Sequence, residues 1–462
     1  MLAQLSRLPL SLDPLIAEAK RRARRRRVQL AAITLVLVAA GATLAFAPAP
    51  IGLSRTGQSH AVPYTSGQIF GGFGGPASLV TVDEVPAVSV ASASDAWALG
   101  SVAWHWDGHA WRSVPLPRIG PVSLSAVAAD GARDAWAVGA RGSGAIATSQ
   151  ALIEHWDGAR WRSVTLPHLP ASYLFGVSTA GPSSAWAVGE TYVPTHARLA
   201  STEDTTRALL LHWDGRSWRK QPVPWAKPGV ALDRVVATGP SGVWALARGM
   251  QDPRGRPVPP EFWNGHRWQA VPSPFGPTDP LLGFSATAWN DAWAVGSYAL
   301  SRNEITTISR PLAAHWDGHS WHMTSLPNPA GDANSFALFS VAAARPDDVV
   351  ALGEREHVEL KGKGDASGSA RLLYFLRWNG HDWQAMPSAT PAVSPYEPAL
   401  SAGPDGSAWA LGRCYYDNFL ARLTPAGWAM VSHPRDARWR RNGSANWRRA
   451  HGGSLPSCSA AG

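Results

Sequence analysis

Residues 134–139 read Asp-Ala-Trp-Ala-Val-Gly, residues 151–158 read Ala-Leu-Ile-Glu-His-Trp-Asp-Gly, and residues 161–167 read Trp-Arg-Ser-Val-Thr-Leu-Pro. This stretch decides the fold because the chain repeats it seven times. Its first tryptophan recurs at Trp97, Trp136, Trp186, Trp244, Trp293 and Trp409, with Val350 in the sixth copy. The second recurs at Trp106, Trp156, Trp213, Trp263, Trp316 and Trp378, with Leu423 in the seventh. The third is Trp111, Trp161, Trp218, Trp268, Trp321, Trp383 and Trp428. Second and third slots stand five apart in every copy, while the whole period varies from about 40 to 60 residues.

Fixed short spacings inside a variable period mean rigid hairpins joined by connections of free length. Asp-Gly or Asn-Gly between two apolar runs, as at Asp107-Gly108, Asn264-Gly265 and Asn379-Gly380, is a hairpin signal because both central positions favour positive φ. Each copy therefore predicts four short antiparallel strands, and seven such copies predict an all-β, seven-bladed β-propeller over residues 80–434. Alternation in the second strand puts Trp136 and Val138 on one face and Ala135, Ala137 and Gly139 on the other. A bulky face against a small face is how stacked sheets close-pack. Of 24 tryptophans, 19 fill the three slots, so the richness in tryptophan is core construction.

The Trp-Ala-Val-Gly … His-Trp-Asp-Gly-x-x-Trp unit resembles the repeats of kelch-type propellers, the class that includes the central domain of galactose oxidase. It is more similar still to tryptophan-rich repeat proteins of bacterial cell envelopes. The resemblance covers residues 85–434 and implies the propeller fold. It also invites a test for copper-radical chemistry, which the sequence fails: it has no Tyr-His dipeptide to supply the adjacent ligand pair.

The remaining chain speaks to placement. The net charge of +9 is concentrated at the ends, with +6 in residues 1–27 and +5 in 435–449, leaving −2 for 48–434. The propeller thus has no electrostatic basis for binding nucleic acid. Residues 28–47 are apolar apart from Gln29 and span about 30 Å as a helix, the thickness of a bilayer core. Arginines crowd before this run and none follows until Arg55, which predicts a single-pass anchor with its N-terminus in the cytoplasm and the propeller outside. A cleavable signal peptide is the alternative; Pro48 directly after Ala45-Phe46-Ala47 disfavours it. Residues 48–79 read as a flexible Gly-, Pro- and Ser-rich stalk, and 435–462 as a basic, disordered tail. Export permits a disulfide between Cys414 and Cys458, the alternative being two free thiols.

Chemistry is harder to find. His105, His155, His212 and His315 fill one slot of the third strand, so a ring scatters them and they cannot converge on one metal ion. Asp95, Asp134, Asp291 and Asp348 sit at the first turn, where Asp, Ser and Gly interchange. Glu203, Asp204, Glu354 and Glu356 read as solvated loop charges. No residue is assigned to catalysis or metal binding, and no cofactor is implied. Binding is expected where connections vary most, on the face carrying the second-to-third and fourth-to-first connections. There the leftover aromatics gather: Tyr192, Tyr298, Tyr415 and Tyr416 in the former, Tyr173, Trp225 and Tyr396 in the latter. Rigid aromatic area with a polar tip suits a protein, peptide or glycan ligand. The expected function is an extracytoplasmic binding or interaction module. The alternative is a cell-envelope enzyme, a polysaccharide hydrolase or lyase or a lactonase-like enzyme, with its site at the propeller mouth.

Overall fold

The Asp-Gly and Asn-Gly pairs set the outer hairpin of each blade. In Asp107, Asp157, Asp214, Asn264, Asp317 and Asn379, Oδ1 accepts the N–H groups two and three residues ahead at 2.7–3.0 Å. The glycine that follows each takes φ of 87–94°, a region open to glycine and strained for other residues. The computed structural model describes residues 87–431 apart from 101, 118–119, 143–147, 195–205, 254, 277–278, 303–306, 328–334, 359–368, 388–394 and 415–416. Within them, 28 strands form seven four-stranded sheets, each antiparallel and each ordered as the chain runs. The segments 1–27, 28–47, 48–79 and 435–462 lie outside the described residues. Among the described residues no helix is long and apolar enough to cross a membrane.

The first strands of the blades are Ala87–Ser92, Val122–Gly131, Ser172–Thr179, Leu232–Gly239, Leu281–Ala288, Ser335–Arg345 and Pro395–Ala402. Each touches the first strand of the next blade, and the seventh touches the first, so they form the inner ring of a seven-bladed β-propeller. Strand alternation then delivers the interlock that the sequence anticipates. Trp97, Trp136, Trp293 and Trp409 are fully buried, and each packs on the small or β-branched face of the following blade: Ala135 and Ala137, Ala185 and Ala187, Val349 and Ala351, Ala96 and Ala98. Each also lies 5.0–5.3 Å from the two remaining slot tryptophans of that next blade. The outer one of the two stands edge-on at 81–88°, a favoured aromatic geometry.

Among the described residues every sheet is one continuous segment, no strand is shared between the ends of the chain, and side chains bridge the first and last blades. Trp409 of blade 7 sits against Trp106 and Trp111 of blade 1. Ser401 Oγ accepts the Val90 N–H at 3.0 Å, and Asp405 Oδ2 accepts the Ala93 N–H at 2.6 Å. The serine bond recurs within the ring, from Ala129 N–H to Ser89, Ala237 to Ser178, and Ala343 to Ser285, at 2.9–3.0 Å. Only odd-numbered blades carry it; Ala128, Val236 and Ala342 hold the slot in the even ones.

The glycine of Trp-Ala-Val-Gly has a role beyond turning the chain. A Cβ at Gly139, Gly189, Gly296 or Gly353 would fall 1.9–2.2 Å from the backbone oxygen of Ser123, Tyr173, Pro280 or Ala337. That oxygen approaches because the inner strand bulges there, leaving Ser125, Phe175, Leu282 and Phe339 without a cross-strand partner. A bulge re-aims the side chain of its extra residue. Gly100 of blade 1 has open space at the same slot. Gly189→Ala is therefore expected to cost about 2–3 kcal/mol of unfolding free energy, and Gly100→Ala less than about 0.5, measured by denaturant titration. Equal costs at the two positions would contradict this account of the bulge.

Candidate functional site

Most of the repeated polar side chains are spent on the framework. His105, His155 and His315 stack on Trp97, Trp136 and Trp293 with ring centroids 4.1–4.6 Å apart. Their Nε2 atoms lie 2.7 Å from Oδ1 of Asp95, Asp134 and Asp291. The two slots vary singly in blades 3 and 6 and together in blade 4. His212 meets Ser184 at 3.3 Å, Arg377 meets Asp348 at 2.8 and 2.9 Å, and Phe262 stands where the turn has only Gly242. The histidine and aspartate series are thus two halves of one structural pair, and neither offers a catalytic group.

One cluster of unrepeated ionisable groups lies between blades 3 and 4. The second strand of blade 3 is Ala185–Tyr192, and Glu190 on it shares the face of Trp186 and Val188, which pack toward blade 4. Arg248, directly after the second strand of blade 4 (Gly242–Ala247), lies 3.7 Å from Glu190. The same guanidinium stands over the ring of Phe175, 4.6 Å from its centroid. Phe175 is the bulge residue of blade 3; in blade 4 the bulge residue is Asp233, flanked by Arg234. Burial pushes the carboxyls of Glu190 and Asp233 up, with Arg248 pulling both back and Arg234 also opposing the shift at Asp233. Tyr173 completes the group. Its ring stacks on Phe175 at 4.8 Å, its hydroxyl donates to Ser123 Oγ at 2.9 Å, and it accepts from Ser125 Oγ at 3.2 Å. The Tyr173 hydroxyl is therefore engaged by blade 2, and the residue anchors the bulge.

The aromatics expected in connections lie elsewhere. Tyr192 ends a strand and pairs with Thr206, and Tyr298 pairs with Arg310 within the long hairpin of Asp291–Arg302 and Thr307–Trp316. The second-to-third hairpins of blades 3, 5 and 6 extend as paired strands well past the glycine, so these residues stand on strands and not in loops. Tyr192 shares the face of Glu190 and looks toward blade 4. Tyr298 shares the face of Ala292 and Ala294, which pack with Trp244 and Leu246, so it looks toward blade 4 from the other side. Blade 4 is short there, its third strand being only Glu261–Trp263, and Tyr298 remains 36% exposed. Trp225, in the connection from blade 3 to blade 4, is half-buried edge-on against Trp268 at 5.9 Å. Tyr173 and Tyr396 begin the first strands of blades 3 and 7, and the Tyr396 side chain lies outside the described residues. Tyr415 and Tyr416 also lie outside them, as do Cys458 and the Cys414 side chain, and so does any disulfide between the two cysteines. Glu203 and Asp204 fall in the same category. Glu354, read from sequence as a solvated loop charge, is instead buried on the strand Asp348–Val358.

A third carboxyl belongs to this interface. Glu261 opens the third strand of blade 4 on the face of Trp263, which packs toward blade 3. It is only 6% exposed, and burial pushes its pKa up to about 7. In blade 2 the same slot holds Glu154, which accepts from Ser163 Oγ at 2.8 Å; Ala270 takes the place of that serine in blade 4. Among the described residues no group of three or more His, Cys, Asp or Glu side chains could hold a metal ion. Sequence reasoning missed Glu190, Asp233, Arg248 and Glu261. The signal available was departure from the repeat: Ala247 holds the glycine slot of blade 4, and Glu261 stands in a slot that is apolar in five of the seven blades.

No protein-family model and no curated protein matches the chain. Among solved structures it is similar to YCF48 bound to a D1 peptide, at 15% identity and a TM-score of 0.35 over 58% of this chain and 73% of that one. It is similar to YCF48 from Cyanidioschyzon merolae at 12% identity and a TM-score of 0.41, over 72% and 95% of the two chains. A fucose-specific lectin from Aleuria aurantia gives 11% identity and a TM-score of 0.34, over 77% and 97%. At such distances the chemistry has to be read from this chain's own side chains.

A carboxyl whose pKa rises on folding binds its proton more tightly in the folded chain. The stability it contributes is complete below its unfolded value and is lost as pH climbs through the folded one. For Glu261 that window runs from the ordinary 4.5 to about 7. Glu261→Gln is expected to raise unfolding free energy at pH 8.5 by about 2–3 kcal/mol and to change it little at pH 4. The check is denaturant unfolding at both pH values; the same effect at each would show that Glu261 is not buried with a raised pKa.

Proposed function

We propose that the chain is a membrane-anchored, extracytoplasmic binding module that takes a protein, peptide or glycan ligand on the strand-end face above blade 4. One observation carries this reading. Tyr192 of blade 3 and Tyr298 of blade 5 face the short blade 4 from either side, and the Glu190–Arg248–Asp233 group lies at its inner end. These side chains follow no repeat and take no part in the within-blade turn pairing that consumes His105, His155 and His315. Exposed tyrosine supplies contact area at low entropic cost, and a partly buried ion pair supplies orientation. The basic segment 1–27 and the apolar run 28–47 support a single-pass anchor that leaves the propeller outside.

A second reading, a cell-envelope enzyme, rests on Glu190 and Asp233. Two carboxyls pushed up by burial beside one arginine are the kind of pair that exchanges protons with a bound substrate. In that case the ligand is turned over.

The test is binding of labelled envelope polysaccharides and peptides to intact cells carrying the full chain, with recovery of unchanged ligand. Saturable binding weakened at least tenfold by Tyr192→Ala with Tyr298→Ala, and by Arg248→Ala, is expected. Binding indifferent to all three substitutions would overturn the choice of face. Binding seen only after lysis would overturn the outward orientation, and conversion of the ligand would favour the enzyme.

A further inference from the structure

Blade 4 departs from the repeat on the opposite face as well, where the first-to-second and third-to-fourth turns lie. Gly242 stands in the slot of Asp95, Asp134 and Asp291, and Phe262 in that of His105, His155 and His315. Trp244, with no histidine to stack on, lies tilted by 51° against Phe262 at 5.0 Å and reaches Phe284 of blade 5 at 5.3 Å. Its Nε1 donates to the Ala288 carbonyl at 3.4 Å, whereas Nε1 of Trp97, Trp136, Trp186, Trp293 and Trp409 is buried with no acceptor among the described residues. Trp316 of blade 5 is thereby left without the ring that Trp97 gives Trp156, Trp136 gives Trp213 and Trp293 gives Trp378.

The space so vacated is a pocket of about 320 Å³ lined by Trp244, Phe262, Gln269, Val271, Trp289 and Trp316. At its rim stands Trp289, which belongs to none of the three repeat slots and is 50% exposed. Its indole lies across the Gly318 turn, so close that a Cβ on Gly318 would meet the ring at 3.1 Å. In the other blades the residue before the one facing that glycine is Ala93, Ala132, Pro182, Pro240, Pro346 or Asp405, none of which could wall a pocket with a ring.

Few side-chain polar groups remain free on this wall, which Ala270 and Gly318 complete. Trp244 and Trp316 spend Nε1 on the carbonyls of Ala288 and Trp289, and with the Gln269 amide turned so that its oxygen meets the Arg267 guanidinium at 3.2 Å, that oxygen is taken too. The Gln269 NH2 and the Trp289 indole N–H are left. A pyranose seated here would strand several hydroxyls, each unmatched one costing about 1–3 kcal/mol. A flat apolar ring with one acceptor loses nothing of the kind and gains contact with three aromatic walls.

We propose that this pocket between blades 4 and 5 is a second binding site, separate from the strand-end face, that takes a single neutral aromatic ring carrying at most one hydrogen-bond acceptor. The source is either a free phenol-like compound or an aromatic side chain presented by a partner. The experiment is calorimetric titration of the full chain in detergent with p-cresol, N-acetyltyrosinamide and methyl α-glucoside. One saturable p-cresol site is expected, weakened at least tenfold by Trp289→Ala and abolished by Val271→Phe, which fills the pocket. Arg248→Ala, on the other face, should leave it unchanged. Tighter binding of N-acetyltyrosinamide than of p-cresol assigns the ring to a protein partner, and weaker binding assigns it to a free compound. Absence of a saturable p-cresol site, persistence of full affinity in both pocket variants, or displacement of p-cresol by methyl α-glucoside would each overturn the proposal. Trp289 is half exposed, so its removal leaves a folded chain in which loss of binding is interpretable.

Discussion

The ring depends on the second-strand tryptophan that six of the seven blades carry; at four junctions it lodges against the small face of the following blade, between that blade's two other slot tryptophans. Ala135 and Ala137 are small because Trp97 occupies the space above them. His105 lies under Trp97 as a stacking partner, and Asp95 holds His105 in place. One packing requirement therefore fixes a chain of residue types through the repeat, from the indole to the histidine to the aspartate of the turn. Hydrogen bonds from serine to the next inner strand add orientation, but the apolar interlock supplies most of the area removed from water.

Function then has to come from places where this chain of requirements is broken. Blade 4 breaks it twice. At one end its second strand stops at Ala247, so Arg248 turns inward to Glu190 and Phe175 while Tyr192 and Tyr298 overlook a lowered edge. At the other end Gly242 and Phe262 replace the polar pair, Trp244 tilts, and a pocket opens beside Trp289. Blade 4 thus presents two chemically different surfaces, one ionic and tyrosine-flanked, the other aromatic-walled. The regular blades hold both rigid, the condition under which a site keeps its geometry without ordering cost.

The seven-fold, four-stranded architecture was legible because tryptophan spacing and Asp-Gly turns are local signals. The bulky-against-small packing of blades followed from strand alternation alone. What could not be read was the inner-strand bulge, since a bulge leaves no residue pattern of its own. It hides Phe175 and Asp233, which alternation would assign to the faces of their blades. The glycine of Trp-Ala-Val-Gly was its only trace, and that residue also reads as the end of a strand. Tyr192 and Tyr298 were misplaced into loops because the hairpins of blades 3 and 5 keep pairing beyond the glycine, through residues with no repeat signature. The pairing of the histidine and aspartate slots was available in the sequence. Blade 4 loses both partners at once, as Phe262 and Gly242.

The most direct test lies at the junction of blades 7 and 1, which only side chains bridge among the described residues. Trp409→Ala removes the interlock between blades 7 and 1, while the backbone there is held by Ser401 to Val90 and Asp405 to Ala93. Denaturant unfolding combined with amide hydrogen exchange measures both the loss and its location. The account predicts a loss of about 3–5 kcal/mol, with the Val90 and Ala93 amides exchanging faster than the rest of the inner ring. A loss below about 1 kcal/mol, with those two amides as protected as before, would contradict closure by tryptophan packing.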